Sequence, residues 1–206
     1  PLDLQHAVVA IEDERFYTHN GIDIRGIIRA GVIGITTGNF SEGASTITQQ
    51  LLKNNVFTDW MNETSLIDKF KRKFQEQYLA LQLEKVVSKE QILEDYLNTI
   101  NLGAGAYGVQ AAAHRYFDKD VSELNLSECA VIAAITQNPT RYNPITNPEE
   151  NAGRRQIVLD YMLEQGYITQ EEHDQAVSDN VYSRIQDTEA ETSETSIYTY
   201  YVDATI

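Results

Sequence analysis

Five stretches of the 206-residue chain carry side chains whose types and spacing suit chemistry. The first is Ala10-Ile-Glu-Asp-Glu-Arg-Phe-Tyr-Thr-His-Asn-Gly21. On a helix, Glu12 shares a face with Val8 and Phe16, four residues to either side, so its carboxylate projects toward apolar neighbours. Apolar surroundings raise a carboxyl pKa toward the range in which it serves as general acid or base near neutral pH. The plainer reading of the same spacing is a half-exposed Glu paired with Arg15, and His19 reads equally as a structural histidine near a helix end.

The second stretch, Glu42-Gly-Ala-Ser-Thr-Ile-Thr-Gln-Gln-Leu-Leu-Lys53, is a Gly-rich loop feeding a helix whose first turn is crowded with hydroxyls and amides. Free backbone N–H groups and side-chain donors at a helix N-terminus suit an anion, and Lys53 adds charge. Capping by Ser45 or Thr46 explains part of the pattern but does not call for Ser45, Thr48, Gln49, Gln50 and Lys53 together.

The third lies between Thr64 and Glu84. At 100° per residue Ile67, Phe70, Phe74, Tyr78 and Leu81 form one stripe, and Lys69, Arg72, Lys73 and Glu76 gather on the opposite side. That side is either a solvated face laced with i,i+3 and i,i+4 pairs or a phosphate-binding surface with an embedded acid. The fourth and fifth stretches, Lys89–Asn98 and Arg154–Leu159, read as amphipathic helices from which Glu94, Asn98 and Arg155 buttress a site.

These residues need a frame, and the spacing supplies a helical one. Apolar residues at three- and four-residue intervals predict helices near 3–15, 23–36, 45–55, 64–86, 89–99, 107–117, 127–137, 148–165 and 170–179. Capping boxes pair Thr46 with Gln49, Ser88 with Gln91, Asn147 with Glu150 and Thr169 with Glu172. No run of alternating strands appears, so the class is mainly α. The segment 35–44 reads as a mobile loop. Gly103-Ala-Gly-Ala-Tyr-Gly108 matches a dinucleotide fingerprint formally, but a helical pattern precedes it where that fingerprint needs a strand; it is a Gly-rich helix connection.

Composition closes off several classes. With 16 Lys+Arg against 31 Asp+Glu the chain carries −15, which argues against nucleic acid as a partner. The acidity is uneven: residues 1–148 hold 13 basic and 18 acidic residues, and 149–206 hold 3 and 13. One cysteine, Cys129, and four scattered histidines exclude disulfide and zinc scaffolds. No apolar run approaches a membrane span. Asp187–Ser196 reads as an acidic linker, and Ile197–Val202 as a strand opening a following module.

Taken in order, the five stretches resemble the five motifs of the peptidoglycan glycosyltransferases, the transglycosylase module of class A penicillin-binding proteins and their monofunctional relatives. The match runs from Leu4 to about Val177 and includes the full Gly-Ala-Ser-Thr-Ile-Thr-Gln-Gln and Glu-Asp-Glu-Arg-Phe-Tyr-Thr-His-Asn-Gly.

The resemblance implies a lysozyme-like helical large lobe, a smaller mobile lobe at about 35–65, and a glycosyltransferase domain over 1–186. The substrates it implies are lipid II and the growing lipid-linked glycan. It also implies a site at the extracytoplasmic face of the plasma membrane, an N-terminal transmembrane anchor outside this chain, and a fused transpeptidase after the linker at 187–206. Glu12 is then the general base and Glu76 the second essential carboxylate, which either orients phosphate-binding side chains or helps hold a divalent cation, Mg or Mn. Ser45, Thr48, Gln49, Gln50, Lys53, Arg72 and Lys73 bind pyrophosphate and sugar, with Asp13, Phe16, His19, Gly43, Glu94, Asn98 and Arg155 in support. A peptidoglycan-cleaving hydrolase or lytic transglycosylase shares a Glu on a helix but leaves the cations unexplained. A helical module that binds lipid pyrophosphate without turnover is the third reading.

Overall fold

The computed structural model describes residues 1–38, 43–57 and 65–186. The expected linker and strand after residue 186 lie outside the described residues, as do parts of the expected loop at 35–44 and of the smaller lobe at 35–65.

Among the described residues nine α-helices follow one another: α1 Leu2–Glu12, α2 Ile24–Thr37, α3 Ile47–Asn55, α4 Leu66–Leu83, α5 Lys89–Thr99, α6 Val109–Phe117, α7 Leu126–Ile135, α8 Pro148–Glu164 and α9 Gln170–Ser178. Among the described residues there is no strand, only an isolated antiparallel bridge between Asn101 and Tyr107. The class is mainly α.

The core is organised around α7, whose residues from Ser127 to Ile135 are all buried. A helix apolar on every side is stable only when other elements surround it. Here α1 and α8 pack on α7 and on each other, with α6 and α9 also against it, while α3 packs on α4 and α5. Cys129 lies in this core, where burial pushes its thiol up to about 12 and removes it from thiolate chemistry.

Local signals set most helix ends. Thr46–Gln49 and Thr169–Glu172 are reciprocal capping boxes. Asp120–Glu123 and Asn125–Glu128 are two more that the sequence reading passed over. Ser88 accepts from Gln91 N, but no reciprocal bond completes a box. Asn147 does not cap α8: its amide donates to Thr140 O and Thr146 Oγ1, and Pro148 occupies the first turn with no N–H to offer.

One expectation is corrected: the first helix stops at Glu12, three residues early, because Asp13 is drawn into tertiary bonds described below. Of the two readings of the charged side of α4, the wholly solvated face is the one that fails: Lys69 is exposed, but Glu76 is 1% and Ala80 0% exposed, and the half-buried Arg72, Lys73 and Leu83 continue that inward stripe. The apolar stripe faces outward, with Ile67 78%, Phe70 67%, Phe74 73% and Tyr78 62% exposed. Seating Glu76 against its two cations dictates which side of α4 turns in.

The Gly-rich segment 103–108 joins α5 to α6. Gly108 has φ +80° and opens α6, and a Cβ there would sit 2.4 Å from Asn98 O. Its glycines serve this close helix connection, as expected, rather than a phosphate loop.

Candidate active site

The end of α1 and the start of α3 are fastened through Asp13. Its Oδ2 accepts from Ile47 N at 3.0 Å, in the first turn of α3, and from His19 Nε2 at 2.9 Å. A carboxylate there satisfies a free helix donor and complements the positive end of the helix dipole. Gly21 N donates to His19 Nδ1 at 3.1 Å, which makes Nε2 the protonated nitrogen facing Asp13. Thr46 Oγ1 donates to Gly21 O at 2.7 Å and also caps α3. Gly21, at φ +89°, leaves no room for a side chain, since a Cβ would stand 2.6 Å from Ala80 O of α4.

Phe16 is fully buried beneath this joint, with Lys89 Nζ 4.4 Å from its ring centroid. Lys89 in turn pairs with Glu84 Oε2 at 2.7 Å, and Glu84 Oε1 accepts from Thr48 Oγ1 at 2.5 Å. Asp13, Phe16 and His19 therefore hold the first and second sequence stretches against α4 and α5. Lys89 and Glu84, both missed as site residues in the sequence, complete the brace.

Glu12 sits in the last turn of α1. Phe16 lies beyond the helix end, so the expected apolar sandwich with Val8 and Phe16 does not form. The carboxylate instead meets polar donors: Gln50 Nε2 at 2.9 Å from Oε2 and Thr136 Oγ1 at 2.5 Å from Oε1. Tyr96 OH donates to Gln50 Oε1 at 3.1 Å. Complete burial pushes the Tyr96 phenol well above its usual value, with Glu12 and Asp13 nearby acting in the same direction, so it keeps its proton and remains a donor.

The other side of α3 carries the cations. Lys73 Nζ donates to Ser45 Oγ at 2.8 Å and Gln49 Oε1 at 3.4 Å, and lies 3.2 Å from Glu76 Oε2. Arg72 donates to Glu76 Oε1. Lys53 is half-buried; burial lowers its ammonium pKa, Glu76 opposes that shift, and Arg72 and Lys73 reinforce it. These four charges form one electrostatic group. A shallow polar depression lined by Glu12, Arg15, Arg29, Gly43 and Ser45 opens beside it.

Not every expected residue converges here. Thr48 and Gln49 are 0% and 1% exposed: Thr48 Oγ1 donates to Glu84 in place of a ligand, and Gln49 Oε1 accepts from Thr46 N and Lys73, while Gln49 Nε2 is buried without a hydrogen-bond partner among the described residues. Gly43 is exposed, and a Cβ on it would meet nothing within 4 Å. Glu94 and Asn98 are exposed on α5. Arg155 is buried at the opposite end of α7 from Thr136, where it donates to Ser127 Oγ at 2.9 Å and to Ala176 O. Nine residues of helix separate Ser127 from Thr136, roughly 13 Å at 1.5 Å per residue, so Arg155 secures α7, α8 and α9 rather than the site.

The expected divalent cation finds no protein cage. Among the described residues no three His, Cys, Asp or Glu side chains gather as ligands, and both Glu76 oxygens face cationic side chains.

The transglycosylase family pattern matches residues 1–163. Penicillin-binding protein 1A of Clostridium perfringens strain 13 is 49% identical over 188 residues, covering 87% of this chain and 27% of that protein. The proteins of that name from Aquifex aeolicus and Escherichia coli K12 are 46% and 45% identical, over 86% and 85% of this chain and 24% and 20% of their own lengths. The chain thus spans about a quarter or less of these curated relatives. A crystal structure of penicillin-binding protein 1A from Haemophilus influenzae aligns at 45% identity over 45% of this chain and 14% of that one, with a TM-score of 0.44. With one family pattern covering residues 1–163, and so all five stretches, and with relatives near half identity, the chain belongs to the transglycosylase family.

Proposed function

We propose that this domain polymerises lipid II into linear glycan strands. The donor is the growing glycan on its undecaprenyl pyrophosphate, and the acceptor is the 4-hydroxyl of the GlcNAc of an incoming lipid II. Family membership gives the reaction class, glycosyl transfer in peptidoglycan synthesis; the roles of the residues are inferred from their placement.

Glu12 takes the proton of the acceptor hydroxyl as its oxygen attacks the donor's anomeric carbon. The bond from that carbon to the pyrophosphate oxygen breaks, α configuration becomes β, and undecaprenyl pyrophosphate departs with the bonding electrons. Lys53, Arg72 and Lys73 stand where the growing negative charge needs counter-charge, and fixed cations in a partly dry site stabilise it strongly. Glu76 holds Arg72 and Lys73 in position. Ser45 is the second-stretch side chain best placed to reach substrate, while Gln50 holds Glu12 and Thr48 and Gln49 brace the turn that carries them. No step is assigned to a divalent cation.

The observation that carries this reading is the double role of α3. Its first turn holds the general base through Gln50 and, with Ser45 just ahead of the helix, holds Lys73 through Gln49, while Lys53 in the second turn adds its own charge to the cationic group. A cleaving enzyme must protonate a poor sugar leaving group. A pyrophosphate leaves as an anion, for which three cations beside one base are the fitting equipment.

The outward stripe of Ile67, Phe70, Phe74 and Tyr78 supports a membrane surface as the place of work, because an exposed apolar face of this size suits acyl chains more than water. Among the described residues no helix is long and apolar enough to cross a membrane. The proposal extends to an anchor preceding the domain at the extracytoplasmic face and a transpeptidase following residue 186. The greater length of relatives called penicillin-binding proteins supports this last part.

The test is incubation of the purified protein with lipid II in detergent. The expected product is lipid-linked polymer with release of undecaprenyl pyrophosphate. Soluble muropeptides from isolated cell wall, with no polymer from lipid II, would overturn the reading.

A further inference from the structure

Thr136 lies 124 residues from Glu12 in sequence and belongs to none of the five stretches. It follows α7 at the C-cap, and its Oγ1 is 2.5 Å from Glu12 Oε1 and 2.9 Å from Ala133 O. A hydroxyl has one proton to donate, and an ionised carboxylate is the stronger of two acceptors, so with Glu12 charged the proton lies toward Oε1. The other carboxylate oxygen meets a different kind of partner. Tyr96, still protonated, fixes the Gln50 amide so that its Nε2 can only donate to Oε2.

We infer that Thr136 is a positioning residue for the general base, a hydroxyl that holds Glu12 when charged and yields when Glu12 takes its proton. This rests on the assignment of Glu12 as base. In the step proposed above, the acceptor's proton moves to Glu12 and a neutral carboxyl forms. Gln50 has no lone pair facing Oε2 with which to receive that proton. Thr136 does have one at Oε1: its own O–H turns to Ala133 O, already within hydrogen-bond distance, and its oxygen accepts from the new Glu12 O–H. No proton leaves Thr136 and no bond beyond the hydrogen bonds changes.

The site thus gives the two carboxylate oxygens different neighbours, one fixed donor and one switchable hydroxyl, and Oε1 is the oxygen that carries the proton. Thr136 caps α7, whose residues from Ser127 to Ile135 are all buried, so its position is set by the core.

The test is steady-state polymerisation of lipid II by the full chain in detergent, comparing wild type with Thr136→Val, Thr136→Ser and Glu12→Gln. Val keeps the shape and removes the hydroxyl; Ser keeps the hydroxyl. Thr136→Val is expected to lower kcat by about 10- to 100-fold, the range of a lost hydrogen bond to a charged group, with KM for lipid II changed less than about twofold. Thr136→Ser is expected to recover most of that loss. A kcat for Thr136→Val close to wild type, an effect on KM alone, or a Ser variant no better than Val would overturn the inference. Thr136→Ala replaces Val in the same comparison if the Val protein does not fold. Glu12→Gln separates the two claims: if it still turns over, the base assignment itself fails, whereas a dead Glu12→Gln beside a normal Thr136→Val removes only the role of Thr136.

Discussion

Substituting Asp13 by Asn tests whether the joint between α1 and α3 is what holds the site. In the folded chain Asp13 accepts from Ile47 N at 3.0 Å and from His19 Nε2 at 2.9 Å, and its side chain is 3% exposed. Asn in place of Asp keeps an accepting oxygen for Ile47 N but puts its NH2 group where Oδ1 stood, 3.0 Å from the His19 Nε2 donor, so the bidentate, charged acceptor of His19 is lost, worth about 1.5–3 kcal/mol. The missing negative charge at the start of α3 adds about 0.3–1 kcal/mol. A total near 2–4 kcal/mol in a domain of this size corresponds to a fall in melting temperature of roughly 5–15 °C. Thermal unfolding followed by circular dichroism reads this directly, and polymerisation of lipid II should fall in parallel because Ser45 and Gln50 ride on the displaced turn. If Asp13→Asn lost activity with an unchanged melting temperature, Asp13 would be acting on substrate and the structural argument would be refuted.

Three further outcomes follow from the same geometry. Gly21→Ala places a Cβ 2.6 Å from Ala80 O at a φ of +89°, so it should destabilise by about 2 kcal/mol or more, measured by denaturant unfolding. Phe70→Ser combined with Phe74→Ser should leave stability within about 0.5 kcal/mol, because both rings are exposed, yet reduce co-sedimentation with lipid vesicles; unfolding instead would show the stripe to be buried. His173 joins α8 to α9, and its hydrogen bond to Asp160, then that to Asp174, raises its pKa above the ordinary value. Its contribution is therefore fully present below the unfolded-state pKa and is lost as pH rises through the higher folded value. His173→Gln should cost more melting temperature at pH 5.5 than at pH 8.5, by about 1 °C given the exposure of both carboxylates.

Much of the frame was legible because its signals are local. Thr46, Thr169 and the helical spacing set helix ends to within a few residues, and the ends of α5 agree fully with expectation. What failed depended on tertiary contacts. Asp13 reads as a continuing helix residue until Ile47 and His19 claim it. Asn147 fits a capping box, but the neighbouring Pro148 and Thr140 O redirect its side chain. Periodicity on α4 showed which residues share a face and could not show that the charged face is the inner one; that follows from Glu76 needing Arg72 and Lys73 in a place screened from water. Thr48 looked like a ligand because hydroxyls at a helix start suit anions, whereas Glu84 holds it. Thr136 carried no signal, since a threonine after an apolar helix is ordinary until Glu12 comes within 2.5 Å from the far end of the chain.

The central claim is that Glu12, held between Gln50 and Thr136, removes the acceptor proton during glycan polymerisation. The most direct measurement is polymerisation of lipid II by Glu12→Gln beside wild type, with both proteins shown to melt alike. Gln is nearly the same shape and cannot take the proton, so the expected result is a fall in kcat of at least about 100-fold, the scale of general base catalysis, with the fold intact. Turnover near that of wild type would contradict the account and place the base elsewhere.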